Sequence, residues 1–172
     1  MKDLIRQKLA ISEEIASSLK KQLQLEQHSS NAYLSMAAWC DIKGYANSAE
    51  FFYKQSEEER VHMMRIYKYL IKMGVQPSVP AAKEAALDFD SVRSAFEEAL
   101  NTEIAVTESI HRIYSQCRTA NDFATEEFMR WFVNEQMEEE ATARDILALF
   151  DNFGSDATSL MLVDERIKEI NA

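Results

Sequence analysis

The sequence predicts an all-α protein: a bundle of four long helices, a long crossover between the second and third helices, and a short fifth helix at the C-terminus. Its 172 residues include only three glycines and two prolines, so the composition favours helix almost everywhere. Apolar residues recur at steps of three and four through four long stretches, and both prolines lie in the gap between the second and third stretches. We expect one domain over residues 1–172, with helices at about 12–40, 48–73, 92–118, 122–151 and 156–170.

The first helix has clear signals at both ends. Ser12 is a suitable N-cap residue, and the acidic Glu13 and Glu14 follow it in the first turn. Gly44 is predicted to end the helix because glycine readily adopts the left-handed conformation of a helix C-terminus.

The second helix is predicted to begin at Asn47 or Ser48, either of which can act as the cap, and to end at Gly74. The turn before it is short, so the first two helices should be antiparallel neighbours. The connection from 75 to 90 reaches about 50 Å at about 3.3 Å per residue, which is enough to run the length of a helix. The third helix can therefore lie parallel to the second.

The last three helices follow the same signals. Asp90 or Ser91 is predicted to cap the third helix, and a polar turn from Thr119 to Asp122 leads into the fourth. Asp156 can cap the fifth helix, which is too short to be stable alone and should dock against other helices.

Polar residues interrupt the apolar face near the midpoint of each long helix. Because a midpoint lies at the same height whichever way the helix runs, these residues should meet at one level inside the bundle. They are Glu26, Glu59, His62, Glu103, Gln136 and Glu139. A buried carboxylate without a partner costs several kcal/mol, so a cation should lie among them.

The chemistry of these residues indicates a metal. Glu59 and His62 are three residues apart, project from one face of their helix and can bind the same ion. Carboxylates with one imidazole suit iron or manganese. Di-iron carboxylate bundles use one Glu from each of two helices and Glu-x-x-His from the other two; here the second such motif is replaced by Gln136-x-x-Glu139.

From about residue 8 to residue 170 the sequence resembles the ferritins, and more closely the haem-free bacterial and archaeal ferritins. The long crossover and short last helix agree with the ferritin layout. The resemblance rests on Leu25-Glu26, Ser29-Ser30 and Tyr33, on Glu57-Glu58-Glu59-Arg60-Val61-His62-Met63, on Glu103, and on Trp131-Phe132-Val133-Asn134-Glu135-Gln136-Met137-Glu138-Glu139-Glu140.

The resemblance implies two iron positions. The first is held by Glu26, Glu59 and His62, and the second by Glu59, Glu103 and Glu139, so that Glu59 bridges the two ions. Gln136 would hydrogen-bond near the centre without binding iron strongly.

The resemblance also implies two neighbouring roles. Tyr33 corresponds to the tyrosine beside the centre, a candidate one-electron donor that could equally be a core tyrosine bonded to a glutamate. Glu58, Glu135 and Glu138 resemble a third iron position on the inner surface, although they could equally form a solvated acidic face.

The function implied is iron storage with ferroxidase activity. Two Fe(II) ions bind, O2 or H2O2 takes electrons from both, and Fe(III) moves on to a mineral inside a shell of twenty-four identical subunits. Because Gln136 is a weak iron ligand, the resemblance suggests that iron is a substrate that passes through the centre rather than a permanent cofactor.

Other readings stay open. A bacterioferritin would hold haem through a methionine after the bridging glutamate, where this sequence has Arg60, so no haem is expected. A rubrerythrin-like peroxidase would need four cysteines for its second iron site, and only two are present. A di-iron oxygenase, which would need a substrate pocket and usually a longer chain, and a non-catalytic helical bundle without metal are the remaining alternatives.

Composition limits the partners and the compartment. The net charge of −10 argues against nucleic acid and suits the attraction of cations. No apolar run approaches the about 20 residues that a membrane span needs. Cys40 and Cys117 are isolated and no signal-peptide pattern precedes them, so we expect a cytoplasmic protein.

Overall fold

The structure is a computed structural model that describes residues 10–78, 81 and 84–170. These residues form five helices and no strand, as predicted. The helices are α1 (Glu13–Lys43), α2 (Ala46–Lys72), α3 (Val92–Ala120), α4 (Phe123–Phe153) and α5 (Ala157–Ile170). The ends of the predicted domain, residues 1–9 and 171–172, and Pro80 in the crossover lie outside the described residues.

Most of the predicted caps are confirmed. The side chain of Ser12 accepts a hydrogen bond from the backbone N–H of Ile15 at 3.2 Å. Gly44 ends α1 with a φ of 88°, and Gly74 follows the C-cap of α2 with a φ of 80°. Ser91 caps α3, and Asp156 accepts bonds from the first backbone N–H groups of α5.

The predicted cap of α2 was wrong. The helix begins at Ala46, and Tyr45 in the cap position makes no side-chain hydrogen bond. The backbone N–H groups of Asn47 and Ser48 instead donate to the carboxylate of Asp164 in α5, at 3.1 and 2.8 Å. Asp164 therefore caps α2 from a position 116 residues after Ser48. The local sequence could not reveal this contact.

The long crossover makes α3 parallel to α2, as predicted. Phe52 near the start of α2 stacks on Phe96 near the start of α3, with ring centroids 4.5 Å apart. The crossover runs back along α1, where the indole N–H of Trp39 donates to Asp88 at 2.9 Å and Ser35 donates to the carbonyl of Ala86. Because the two helices begin at the same end, the midpoints of all four long helices can share one level.

The interior has two apolar clusters, one toward each end of the bundle. One contains Leu19, Leu23, Ile66, Leu70, Ile113 and Phe132, and the other contains Met36, Phe52, Ala95, Phe96, Ile146 and Phe150. α5 joins the second cluster through Val163 and Ile167. The polar mid-helix residues lie between the two clusters.

Among the described residues, no helix combines the length and the apolar character that crossing a membrane requires.

Candidate metal centre

The polar residues predicted to meet inside the bundle are buried there. The exposed fraction of each residue is small: 0% for Glu26, 1% for Glu59, 3% for His62, 1% for Glu103 and 2% for Gln136. Glu139 is half-buried. Each lies near the middle of its helix and faces the core, because it interrupts the apolar stripe that the helix buries.

Glu26, Glu59 and His62 form the tightest group. Each offers one ligand atom, and these atoms all lie within 4.8 Å of one another. His62 Nδ1 is 3.5 Å from Glu59 Oε2. The three residues predicted for the first iron position are therefore brought together, although their role as ligands remains a prediction.

The carboxylate of Glu103 raises the pKa of Glu59 by its charge and is itself held by two donors. The hydroxyl of Tyr33, itself 1% exposed, donates to Glu103 Oε1. The amide Nε2 of Gln136 donates to Glu103 Oε2 at 2.8 Å. Both oxygens of this carboxylate are therefore engaged by the protein.

Glu139 belongs to a second group of three. Its carboxylate lies with His62 and the half-buried Glu135, again with one ligand atom of each within 4.8 Å. His62 Nε2 is 3.9 Å from Glu135 Oε1, so the imidazole faces one group with each nitrogen. Within the described part of the chain, Glu59, Glu103 and Glu139 do not form such a tight group, and the second iron position remains a prediction.

The residues predicted for a third iron position are placed unequally. Glu135 lies in the second group, and Glu58 is half-buried and accepts a hydrogen bond from Gln55 at 2.6 Å. Glu138 is exposed and lies in neither group. Its role as a ligand is the least supported of the three.

Burial controls the protonation of the acids. Loss of solvent raises the pKa of Glu26 well above its usual value, and the neighbouring charge of Glu59 raises it further. Burial and the charge of Glu103 do the same to the pKa of Glu59. The pKa of Glu139 rises to about 8, through burial first and the charge of Glu103 second. Without a cation, burial therefore favours the protonated, uncharged form of these carboxyl groups.

The arrangement fits a divalent cation. Glu26 Oε2 and Glu59 Oε2 are buried, and no donor from outside the group of Glu26, Glu59 and His62 reaches either oxygen. Without a cation, the two carboxyl groups can only share a proton with each other. Unsatisfied buried carboxylate oxygens are costly, and a bound cation removes that cost. Oxygen ligands with a single imidazole match the preference of iron or manganese.

Aromatic rings close one side of the centre. The imidazole of His62 meets Trp131 edge to face, with centroids 5.3 Å apart, and Phe132 at 6.1 Å. The guanidinium of Arg65 lies 4.0 Å above the ring of Trp131. These contacts fix the plane of the imidazole and limit water at this wall.

Two supporting residues were missed by the sequence analysis. Gln22 is 0% exposed and donates to Glu26 Oε1 at 2.9 Å. Thr107 lies 3.4 Å from Gln136 Nε2. The available signal was the position of Gln22 four residues before Glu26, since this spacing places both on one face of α1.

Comparison with known proteins gives one consistent result. A family model described as a ferritin-like domain matches residues 16–153. The bacterial non-heme ferritin of Staphylococcus aureus strain MRSA252 is 32% identical over 157 residues, which cover 91% of this chain and 95% of that protein. The bacterial non-heme ferritin of Staphylococcus epidermidis is 31% identical over the same shares.

Solved structures agree with the sequence matches. The crystal structure of a novel open pore ferritin from the hyperthermophilic archaeon Archaeoglobus fulgidus superposes with a TM-score of 0.89 at 33% identity, covering 92% of this chain and 97% of that chain. A humanized archaeal ferritin superposes with a TM-score of 0.88 at 32% identity, covering 92% of this chain and 96% of that one.

Proposed function

The chain belongs to the ferritin family, and from this premise we propose that it is a ferroxidase that oxidises Fe(II) and stores the Fe(III) as mineral inside an oligomeric shell. One observation carries the proposal. Glu26, Glu59 and His62 converge in the core, and one oxygen of each glutamate receives no hydrogen bond from outside this group. A metal-free structural bundle gains nothing from such a group, because burying it costs free energy.

The substrate is a pair of Fe(II) ions. Their four positive charges balance four carboxylates, those of Glu26, Glu59, Glu103 and Glu139. Because burial raises the pKa of these acids, iron binding releases the protons that they hold. At the second iron position, Glu103 exchanges a hydrogen bond from Tyr33 or Gln136 for the ion.

The reaction transfers two electrons. Each Fe(II) loses one electron, and O2 takes both with two protons and leaves as H2O2; with H2O2 as oxidant, two protons and two electrons give two water molecules. The carboxyl groups that lose protons on iron binding are a nearby proton source. Where a single Fe(II) is bound, Tyr33 would supply the second of the two electrons that O2 takes, passing its phenolic proton to Glu103 and becoming a tyrosyl radical.

The product leaves the centre toward the second group of acids. Gln136 contributes an amide where a strong fourth-helix ligand would retain iron, and its Nε2 is occupied with Glu103. His62 faces the first group with Nδ1 and Glu135 with Nε2. We propose that Glu135, with Glu58 and Glu138, forms the third position. We propose that Fe(III) moves through this position to the mineral.

The shell is proposed to contain twenty-four subunits. The described surface of a single chain leaves large apolar side chains exposed, including Leu87 at 74%, Phe123 at 70% and Met161 at 70%, and contacts between copies would cover them. Both cysteines are free and buried, consistent with the reducing cytoplasm in which we propose that the shell works.

Fe(II) oxidation by metal-free protein tests the function. We expect Glu59→Ala and His62→Ala to abolish fast oxidation, followed as the ferric absorbance after Fe(II) is added in air, while assembly is kept. Glu57→Ala and His111→Ala are matched controls, because both residues are exposed. Fast oxidation and retention of many irons per chain by the wild type support storage.

Two outcomes of the same assay would contradict the proposal. Wild-type rates in both Glu59→Ala and His62→Ala would refute the assigned centre. A wild-type protein that neither oxidises Fe(II) nor retains iron would favour the inert helical bundle.

A further inference from the structure

Gln22 is a buried amide whose side chain serves one neighbour. It is 0% exposed, on the same face of α1 as the apolar Leu19 and Leu23. Its Nε2 donates to Glu26 Oε1 at 2.9 Å, and its Oε1 receives no hydrogen bond. A half-satisfied buried amide is a cost to folding, so an apolar side chain of the same length should pack here at least as well.

The hydrogen bond distinguishes the two oxygens of Glu26. Oε1 is occupied by the amide of Gln22, while Oε2 is buried and receives no hydrogen bond from outside the group of Glu26, Glu59 and His62. An amide N–H group carries a partial positive charge and does not bind a cation. A metal ion grouped with Glu59 and His62 therefore meets Glu26 through Oε2.

The carboxylate of Glu103 has a different set of hydrogen bonds from that of Glu26. Glu103 receives a donor on each oxygen, from Tyr33 and from Gln136. An ion that binds Glu103 must share an oxygen with one of these donors or displace it, whereas Glu26 presents Oε2, which Gln22 leaves open to the group. Gln22 thus gives the first iron position a ligand that needs no rearrangement.

We propose that Gln22 is a positioning residue that keeps Glu26 a one-oxygen ligand of the first iron position. The inference rests on the proposed function, because it takes Glu26, Glu59 and His62 as that position. One-oxygen ligation leaves one more coordination site on the ion for water or the oxidant than two-oxygen ligation would. Gln22 acts through Glu26 and does not touch the ion.

Co(II) binding to the full-length, metal-free oligomer tests this role without turnover. Gln22→Met removes the donor and keeps the length of the side chain. Freed from the amide, Glu26 Oε1 turns to the ion and raises its coordination number, so the visible absorption per Co(II) at the first position falls. Affinity for the first Co(II), measured by calorimetry, falls about 10-fold to 100-fold.

Gln24→Met is the matched control, because Gln24 is exposed on the same helix, and it should keep the wild-type spectrum and affinity. The spectrum decides the inference: a wild-type spectrum in Gln22→Met overturns it whatever the affinity. If Gln22→Met does not assemble, Gln22→Asn, which withdraws the amide by one methylene group, is measured by the same criterion.

The experiment separates the two levels of the proposal. Wild-type protein that binds two Co(II) ions per chain, with no spectral change in the variant, removes the role of Gln22 and leaves the proposed function standing. Wild-type protein that binds no Co(II) overturns both.

Discussion

At the scale of single residues, a few buried acids destabilise the metal-free fold. Glu26, Glu59 and Glu103 lie in the core with at most 1% of each exposed, and burial is the largest cause of the raised pKa of all three. Toward either end of the bundle the core consists of two apolar clusters. Stability and metal binding are therefore opposed at the same side chains, and pH should alter both.

The first residue-scale prediction concerns pH. A carboxyl group whose pKa is raised in the folded state favours folding fully below its unfolded pKa, and this contribution is lost as pH rises through the folded pKa. For Glu139 the window runs from 4.5 to about 8. We expect the melting temperature of the metal-free protein to fall from pH 5 to pH 8. The free energy of unfolding should fall by about 1.4 kcal/mol per pH unit for each proton that is released on unfolding.

Substitution isolates this effect from general charge repulsion. Glu139→Gln should flatten the pH dependence, and the exposed Glu57→Gln should not. Saturating Mn(II) should also remove the decline, because the bound ion replaces the protons. A slope that Glu139→Gln leaves unchanged would show that the buried carboxyl is not responsible.

At the scale of elements, contacts between helices complete what each helix lacks. The start of α2 has no cap of its own, and Asp164 in α5 accepts the bonds of the Asn47 and Ser48 amides. The Ser48 hydroxyl also donates to Asp164, at 2.6 Å. α5 is therefore joined to the bundle by a carboxylate at a helix N-terminus as well as by Val163 and Ile167.

This cap gives the element-scale prediction. Asp164→Ala leaves two amides at the start of α2 without an acceptor and should cost about 2 kcal/mol locally. The backbone amides of the first turn of α2 should then exchange hydrogen about 30-fold faster in the assembled protein.

Glu165→Ala is the matched control, because it removes an exposed acid from the same helix. Equal exchange rates at Asn47 and Ser48 in both variants would mean that Asp164 does not cap α2 in solution.

At the scale of the whole molecule, the candidate metal centre is separate from the surface that we propose for assembly. The candidate centre lies between the apolar clusters, whereas α5 packs at the end of the bundle where α2 begins. Met161 and Leu162 of α5 remain 70% and 49% exposed, so they are available to other subunits. Changes to α5 should therefore affect the shell more than the oxidation of iron.

Truncation before Asp156 tests this division. We expect the truncated chain to form smaller assemblies by light scattering, to keep early Fe(II) oxidation, and to precipitate Fe(III) rather than retain it. Met161→Lys should weaken assembly with α5 in place, since a charge then enters the contact. An intact shell with lost oxidation would contradict the separation of assembly from chemistry.

The helical class, the crossover and the level of the polar residues could all be predicted from local patterns in the sequence. Helical periodicity, caps such as Ser12 and Ser91, and the prolines are local signals, and mid-helix placement alone predicted that Glu26, Glu59 and Glu103 would meet. Local signals carry this information because propensity, capping and amphipathic spacing act within a few turns of helix.

The side chains that complete the site and the ends of the helices could be identified only from the packing of the folded chain. The cap that Asp164 provides, the bond from Gln22 to Glu26 and the grouping of Glu139 with Glu135 and His62 depend on side-chain directions and distances. A buried polar atom takes whichever partner the packing brings within about 3 Å, and that partner can lie anywhere along the chain.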